Sequence, residues 1–487
     1  MFSQTAVNWT EHDFTRFLDK NAWVCTSSER SRQLKHLRLD RPRQRKSEST
    51  LYSAIGHKFQ MNKFASRLTT ICFLLAVGYS NSALHAQTPL KVFVLVGQSN
   101  MEGHAKLSTI PHIGMDPNGK AMMSEILADD GTPNVIDDVW ISYLSTKGVK
   151  SGQLTTGFGA DDNKIGPELT FGIYMQKRLN EPVLIIKTAW GGKSINTDFR
   201  SPNAGPYPFD RDTLDRLKEQ GKDIEAIKRD KVKATGFYYR QTIDHVKSVL
   251  EDIKAVYPNY DASLGYELSG IVWFQGWNDM VDRSTYPTRD QPGGYDAYSS
   301  VLVNFIRDIR KDLSAPDCPF VIGVMGAGGP VAKYTKDQQR YAGVHQNFRD
   351  AMAAPAAQPE FKENVVAVLT ENSWDLELDS ILKRDNAIRN KINQAKKNDS
   401  LLELAKQLNQ GKELNSADLE VFKTLQQQNK LESTILESLR TQTFTSREYV
   451  ILKIGKSNAE YHYLGSGKIL AKIGKSFADA IPLNSSN

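Results

Sequence analysis

The chain is 487 residues long and 40% hydrophobic, enough to bury one large core or two modest ones. A net charge of +6 is small for this length and calls for no nucleic-acid partner. No CxxC or HExxH pattern occurs, so a zinc site has no support in the sequence, and neither a metal nor another cofactor is expected.

Residues 1–60 carry a basic run from Arg30 to Lys46 with little apolar periodicity. Met61 to Ala86 follows with the anatomy of an export signal. Lys63 and Arg67 form a positive region, Ile71 to Tyr79 a short apolar stretch, and Leu84-His85-Ala86 a cleavage site. That apolar stretch is too short to span a bilayer. The reading is therefore a signal peptide at 61–86, a mis-called or disordered extension at 1–60, and a mature chain from 87 to 487 that is secreted or periplasmic with no stable membrane anchor. A basic cytoplasmic extension that touches nucleic acid or anionic lipid is the alternative for 1–60. Cys25 and Cys72 precede the expected cleavage point, so Cys318 alone remains and no internal disulfide can form.

Lys91 to Val96 is short, apolar and β-branched, as a buried parallel strand would be. Gly97 permits a tight turn that lands Ser99 at the carboxyl end of that strand, with a helix opening behind it. Ligand sites of open α/β sheets lie at that edge, and backbone N–H groups there can hold an oxyanion, which makes Ser99 a candidate nucleophile. Further strands are predicted at 183–188, 270–275, 320–325 and 364–370. Helices are predicted at about 167–179, 235–256, 297–313, 335–353 and 466–480. Five strands with intervening helices imply a five-stranded parallel sheet in a three-layer α/β/α sandwich. The long loops 104–135 and 192–232 are placed to shape substrate access. From about 376 to 446 the chain turns polar and Leu-rich, with Leu401, Leu402, Leu404, Leu408, Leu419, Phe422 and Leu425 at helical spacing. That segment reads as two or three amphipathic helices inserted before the last helix. The acidic run Asp161-Asp162-Asn163 reads as a solvated turn.

Four segments appear in a telling order: GQSNM at 97–101, VLIIKTAWGGKS at 183–194, IVWFQGWND at 271–279 and EYHYLG at 460–465. Together they resemble blocks I, II, III and V of the SGNH (GDSL-like) hydrolases. The wording GQSNM and WFQGWND is closer still to the branch of sialate O-acetylesterases and carbohydrate esterase family 6, as is DFRSP at 198–202. The likeness covers about 85–380 and 447–487 and is specific as a set.

The resemblance implies a flavodoxin-like fold and a metal-free serine esterase that removes acetyl groups from a carbohydrate through an acyl-enzyme. It assigns Ser99 as nucleophile, His462 as base, and the backbone N–H groups of Ser99 and Gly192 with the Asn278 side chain as oxyanion donors. Gln98, Gln275, Trp277 and Arg200 are candidates for substrate contacts. The family places an aspartate three residues before its histidine, where this chain has Ala459. Asp375, then Glu460, then a backbone carbonyl are the candidates to orient His462. The rival readings are a lipase or arylesterase with the same machinery, a glycan-binding protein that has lost the chemistry, and an interaction protein built on the 376–446 helices.

Overall fold

A computed structural model describes residues 88–398 and 430–483, together with 401, 404, 420, 421, 423, 424 and 427. The expectations for 1–60 and 61–86, with Cys25 and Cys72, lie outside the described residues, as do those for Leu402, Leu408, Leu419, Phe422 and Leu425.

The sheet is built around β1, Leu90–Gly97. Its side chains alternate between two apolar cores: Phe93 and Leu95 enter one, and Val92, Val94 and Val96 the other. A strand buried on both faces reads as a continuous apolar run, which is why LKVFVLV was legible. Six further strands complete the sheet: β2 Val139–Ser145, β3 Gly148–Gln153, β4 Val183–Ala189, β5 Tyr266–Phe274, β6 Phe320–Val324 and β7 Val365–Leu369. Their spatial order is β3-β2-β4-β1-β5-β6-β7. Adjacent strands run parallel except for the antiparallel pair β2 and β3. The α/β sandwich therefore stands, but with seven strands rather than five. The extra pair is a hairpin on one edge. Its second strand, GVKSGQ, is polar, Gly-bearing and largely exposed, so it carries no apolar run to reveal it.

Helices cover both faces. The four-residue α1, Ser99–Glu102, follows β1 directly. Residues of α2 (Glu168–Leu179) and of the C-terminal helix Gly467–Ala480 join the Phe93 core. Residues of α3 (Phe237–Glu251) lie in the Val92 core. Next in the chain come α4 (Trp277–Val281), α5 (Asp296–Asp312) and α6 (Ala342–Ala353), the last two also in the Val92 core. The segment before the last helix forms α7 (Leu376–Lys397), α8 (Leu431–Thr443) and α9 (Ser446–Ile454), and the C-terminal helix is α10. Arg440 on α8 donates from Nε at 2.7 Å and Nη2 at 3.0 Å to the Asp385 carboxylate on α7, clasping these two helices.

Three strands end level with one another. Gly97 of β1 is in register with Ala189 of β4 and Phe274 of β5. Gly97 is obligatory there, because an added Cβ would lie 2.2 Å from the Phe274 carbonyl oxygen. The loops after β1, β4 and β5 therefore leave the sheet side by side. A fully buried ion pair anchors this edge from below. Lys187 on β4 donates from Nζ to Glu168 at 2.7 Å, to the Glu102 carbonyl at 2.9 Å and to the Phe158 carbonyl at 2.8 Å. Glu168 in turn accepts from the Gly166 N–H at 2.9 Å. Burial pushes the Lys187 ammonium down and the Glu168 carboxyl up, and the contact between them opposes both shifts.

Removing one partner of a buried pair strands the other charge. Lys187→Met is therefore expected to cost about 3–5 kcal/mol in urea unfolding, and Lys187→Met with Glu168→Gln distinctly less. A single-variant loss below about 1 kcal/mol would show that the pair does not anchor the edge.

Candidate active site

Ser99 opens α1 immediately past the end of β1 and is 7% exposed. The second block meets it there: a Cβ placed on Gly191 would lie 3.8 Å from the Ser99 Cβ and 3.0 Å from Glu102 Oε2. The Gly191 turn thus lies against the serine and Glu102. Gly192 takes the left-handed conformation, φ +74°, with open space beside it.

The third block supplies a chain of side-chain amides. Gln98 Oε1 accepts from Gln275 Nε2 at 3.1 Å and from the Gly276 N–H at 3.3 Å. Gln98 Nε2 donates to Asn278 Oδ1 at 3.2 Å. Gln275 Nε2 also donates to Asp279 at 2.6 Å and to the Lys193 carbonyl at 3.0 Å. Asp279 is buried and accepts further bonds from the Ile195 N–H at 2.9 Å, the Asn196 N–H at 3.2 Å and the Tyr286 hydroxyl at 3.2 Å. Burial raises its carboxyl to about 6, with those hydrogen bonds pulling the other way. Gln98 and Gln275, expected at the substrate, are buried and bonded within this chain instead.

The histidine comes from a tight turn, Glu460–Gly465, which α1 packs against. Tyr463 and Leu464 both hold positive φ, 52° and 60°, uncommon for residues with side chains. Tyr463 pins them: its buried hydroxyl accepts from the Gly326 N–H at 2.8 Å, past the end of β6, and meets the Thr370 hydroxyl at 2.6 Å, past the end of β7. Within the turn, the Leu464 carbonyl accepts from the N–H groups of Ser457 and Asn458, each at 2.9 Å. The His462 ring packs parallel to the His104 ring, with centroids 4.1 Å apart. Burial first, then the neighbouring His104 and Lys164, lower His462 to about 4, so it is a neutral base at neutral pH.

The group that orients His462 is one that sequence reasoning missed. Asn458 Oδ1 lies 3.2 Å from His462 Nδ1 and also accepts from the Ala459 N–H at 2.7 Å. A carbonyl oxygen can only accept, so Nδ1 carries the proton and Nε2 keeps its lone pair. The only signal in the sequence is an amide four residues before the histidine, next to the position where the family pattern has an acid.

Asp375 is drawn elsewhere. It caps α7 by accepting from the Leu378 N–H at 3.1 Å and pairs with Lys468 at 2.7 Å, with the His112 ring, which burial keeps neutral, 3.5 Å away. That cluster joins α7 to α10. Glu460 is exposed, its Oε1 beside Gly328, where an added Cβ would come within 3.0 Å. No contact of either carboxylate with His462 is seen. Arg200, another expected substrate contact, is turned into its own loop. Its guanidinium is consumed by its own loop, donating to the carbonyl oxygens of Gly205 at 2.8 Å and Ala204 at 2.6 Å and to Asn196 Oδ1 at 3.2 Å. Trp277 opens α4, half-buried, with its ring 5.4 Å from that of exposed Tyr461, which precedes His462.

Among the described residues, no group of three or more His, Cys, Asp or Glu side chains could hold a metal ion. Likewise, no described helix is long and apolar enough to cross a membrane.

The geometry can be set beside known proteins. No curated protein matches the chain. Among solved structures, a protein from Arabidopsis thaliana is similar at 17% identity and TM-score 0.31, over 58% of this chain and 86% of that one. A carbohydrate acetylesterase from Xanthomonas citri is similar at 13% identity and TM-score 0.33, over 58% of this chain and 51% of that one, so the match spans about half of that protein. NanS is similar at 13% identity and TM-score 0.30, over 58% of this chain and 78% of its own. The family model described as "Carbohydrate esterase, sialic acid-specific acetylesterase" matches residues 89–364, more than half of the chain. The chain belongs to that carbohydrate esterase family.

Proposed function

We propose that this carbohydrate esterase is a serine hydrolase that removes acetyl groups from sugar hydroxyls through an acetyl-enzyme. One observation carries the reading: α1, with Ser99 at its start, packs against the turn that holds His462 and lies beside the Gly191 turn. His462 Nε2 takes the proton from Ser99 Oγ as the oxygen bonds to the acetyl carbonyl carbon. The Asn278 amide and the N–H groups of Ser99 and Gly192 receive the oxyanion. Collapse breaks the bond to the sugar oxygen, which leaves with the proton from His462. Water, deprotonated by the same imidazole, then attacks the acetyl carbon and frees acetate and Ser99.

Family membership supports an ester on a carbohydrate as substrate. So does the partly exposed aromatic pair of Trp277 and Tyr461, next to Asn278 and His462 in the chain, since sugar rings stack on such faces. The missing acid at 459 was the main support for a non-catalytic glycan binder, and Asn458 offsets it. Export to the periplasm or exterior rests on the sequence of 61–86 and is part of the same proposal. N-terminal sequencing of the natural product should begin near residue 87, and a mature protein that starts upstream of Met61 would refute export by this signal.

Ser99→Ala is expected to abolish acetate release from acetylated sugars; turnover unchanged from the parent would remove the assignment. Asn458→Leu frees the His462 ring to rotate and should lower kcat by about 10- to 100-fold, a share of the 10²–10⁴ that a positioned base contributes. Glu460→Gln should lose at least tenfold less. Equal losses would return the orienting role to the carboxylate.

A further inference from the structure

We propose that Asp279, Gln275 and Gln98 form a hydrogen-bonded chain that sets which end of the Asn278 carboxamide faces the reacting ester. Asp279 is then a positioning residue, acting on the oxyanion through two intervening amides. The inference rests on the hydrolase reading above and adds to it the origin of the polarity of Asn278.

A carboxamide has nearly the same shape at its oxygen and nitrogen ends, so its partners decide which end points where. Asn278 can stabilise an oxyanion only with its N–H end; its oxygen would repel the developing charge. An ionised carboxylate has no such ambiguity, because it only accepts. Asp279 therefore obliges Gln275 to present Nε2, at 2.6 Å. The Tyr298 hydroxyl shares its one proton between Gln275 Oε1 and the Gln275 carbonyl, each at 3.3 Å, and so faces the oxygen end of that amide. Gln275 Nε2 gives one proton to Asp279 and shares the other between the Lys193 carbonyl at 3.0 Å and Gln98 Oε1 at 3.1 Å; with the Gly276 N–H it converges on one end of Gln98, so that end is Oε1. Gln98 Nε2 is left for Asn278 Oδ1, and the Asn278 amide protons are left for the pocket. Gln98, Gln275 and Asp279 are 1%, 2% and 1% exposed, so bulk water cannot relax the pattern.

The discriminating variant is Gln98→Glu. It preserves shape and still accepts from Gly276 and Gln275, but it presents an oxygen to Asn278 and should turn that amide round. The expected result, read on protein whose circular dichroism matches the parent, is a fall in kcat of about 10²-fold, the loss typical of a missing oxyanion donor, with KM within about threefold and a melting temperature lowered by the buried carboxylate. In an Asn278→Ala background the same substitution should add less than about threefold. Multiplicative losses in the double variant would overturn the chain, because Gln98 would then act by another route.

Asp279→Asn tests the far end. The wild-type kcat should be fully present above about pH 6 and fall as the pH drops through that value, when Asp279 takes a proton. The variant should be slower throughout and lack this limb. The titratable groups facing Asp279 are the phenols of Tyr286, Tyr295 and Tyr298, all pushed upward by burial and so neutral in this window. His462, lowered to about 4, titrates below it. An unaltered profile in Asp279→Asn contradicts the proposal. Ser99→Ala serves as the control for the hydrolase reading itself. Should the wild type release no acetate, selective 15N labelling of glutamine still decides. The side-chain amides of Gln98 and Gln275 must shift together near pH 6 and lose that shift in Asp279→Asn; amides that ignore the titration overturn the chain.

Discussion

The common finishing level of β1, β4 and β5 is the constraint on which everything at the site depends. Gly97, Ala189 and Phe274 share one register across three parallel strands, and the close approach of the Gly97 backbone to the Phe274 carbonyl leaves no room for a side chain. Because of it, the serine, the glycine turn and the amide block emerge as neighbours although the chain separates them widely. Parallel hydrogen bonding requires that the strands point the same way, so the loops that carry chemistry gather on one edge. The fourth participant, His462, is brought to that edge by a different device. Tyr463 reaches past the ends of β6 and β7 and is held there in a conformation that side chains seldom adopt.

Polar groups beneath the surface do the fine adjustment. Lys187 spends its three donors on Glu168 and two carbonyls, one of them at the end of α1. Asp279 gathers donors from two loops and from Gln275. Burying such groups is costly unless each is matched, and here the matching ties together the loops that carry Ser99 and Asn278. The tautomer of His462 follows the same logic, since Asn458 Oδ1 leaves Nε2 as the free basic nitrogen.

The central strands were legible because residues buried on both faces must be apolar, which a sequence displays directly. The β2–β3 hairpin was not, because an edge strand such as GVKSGQ owes its conformation to its neighbour rather than to its own pattern. Ser99 and His462 could be singled out from block order and from the glycine turns around them. The partner of His462 could not, since Asn458 reaches the ring only through the fold of the 457–465 turn. Arg200, Gln98 and Gln275 show the converse difficulty: the structure bonds them within the protein. Each is a polar residue near a motif, and the sequence cannot tell whether its donors are spent on the protein or left for a ligand.

The account turns on Ser99 being an activated nucleophile, and a fluorophosphonate probe tests that most directly. It should label the folded protein at Ser99, identified by mass spectrometry of the peptide, and label His462→Ala at least tenfold more slowly. An adduct on another residue, or labelling of Ser99 at the same rate without the imidazole, would contradict the account.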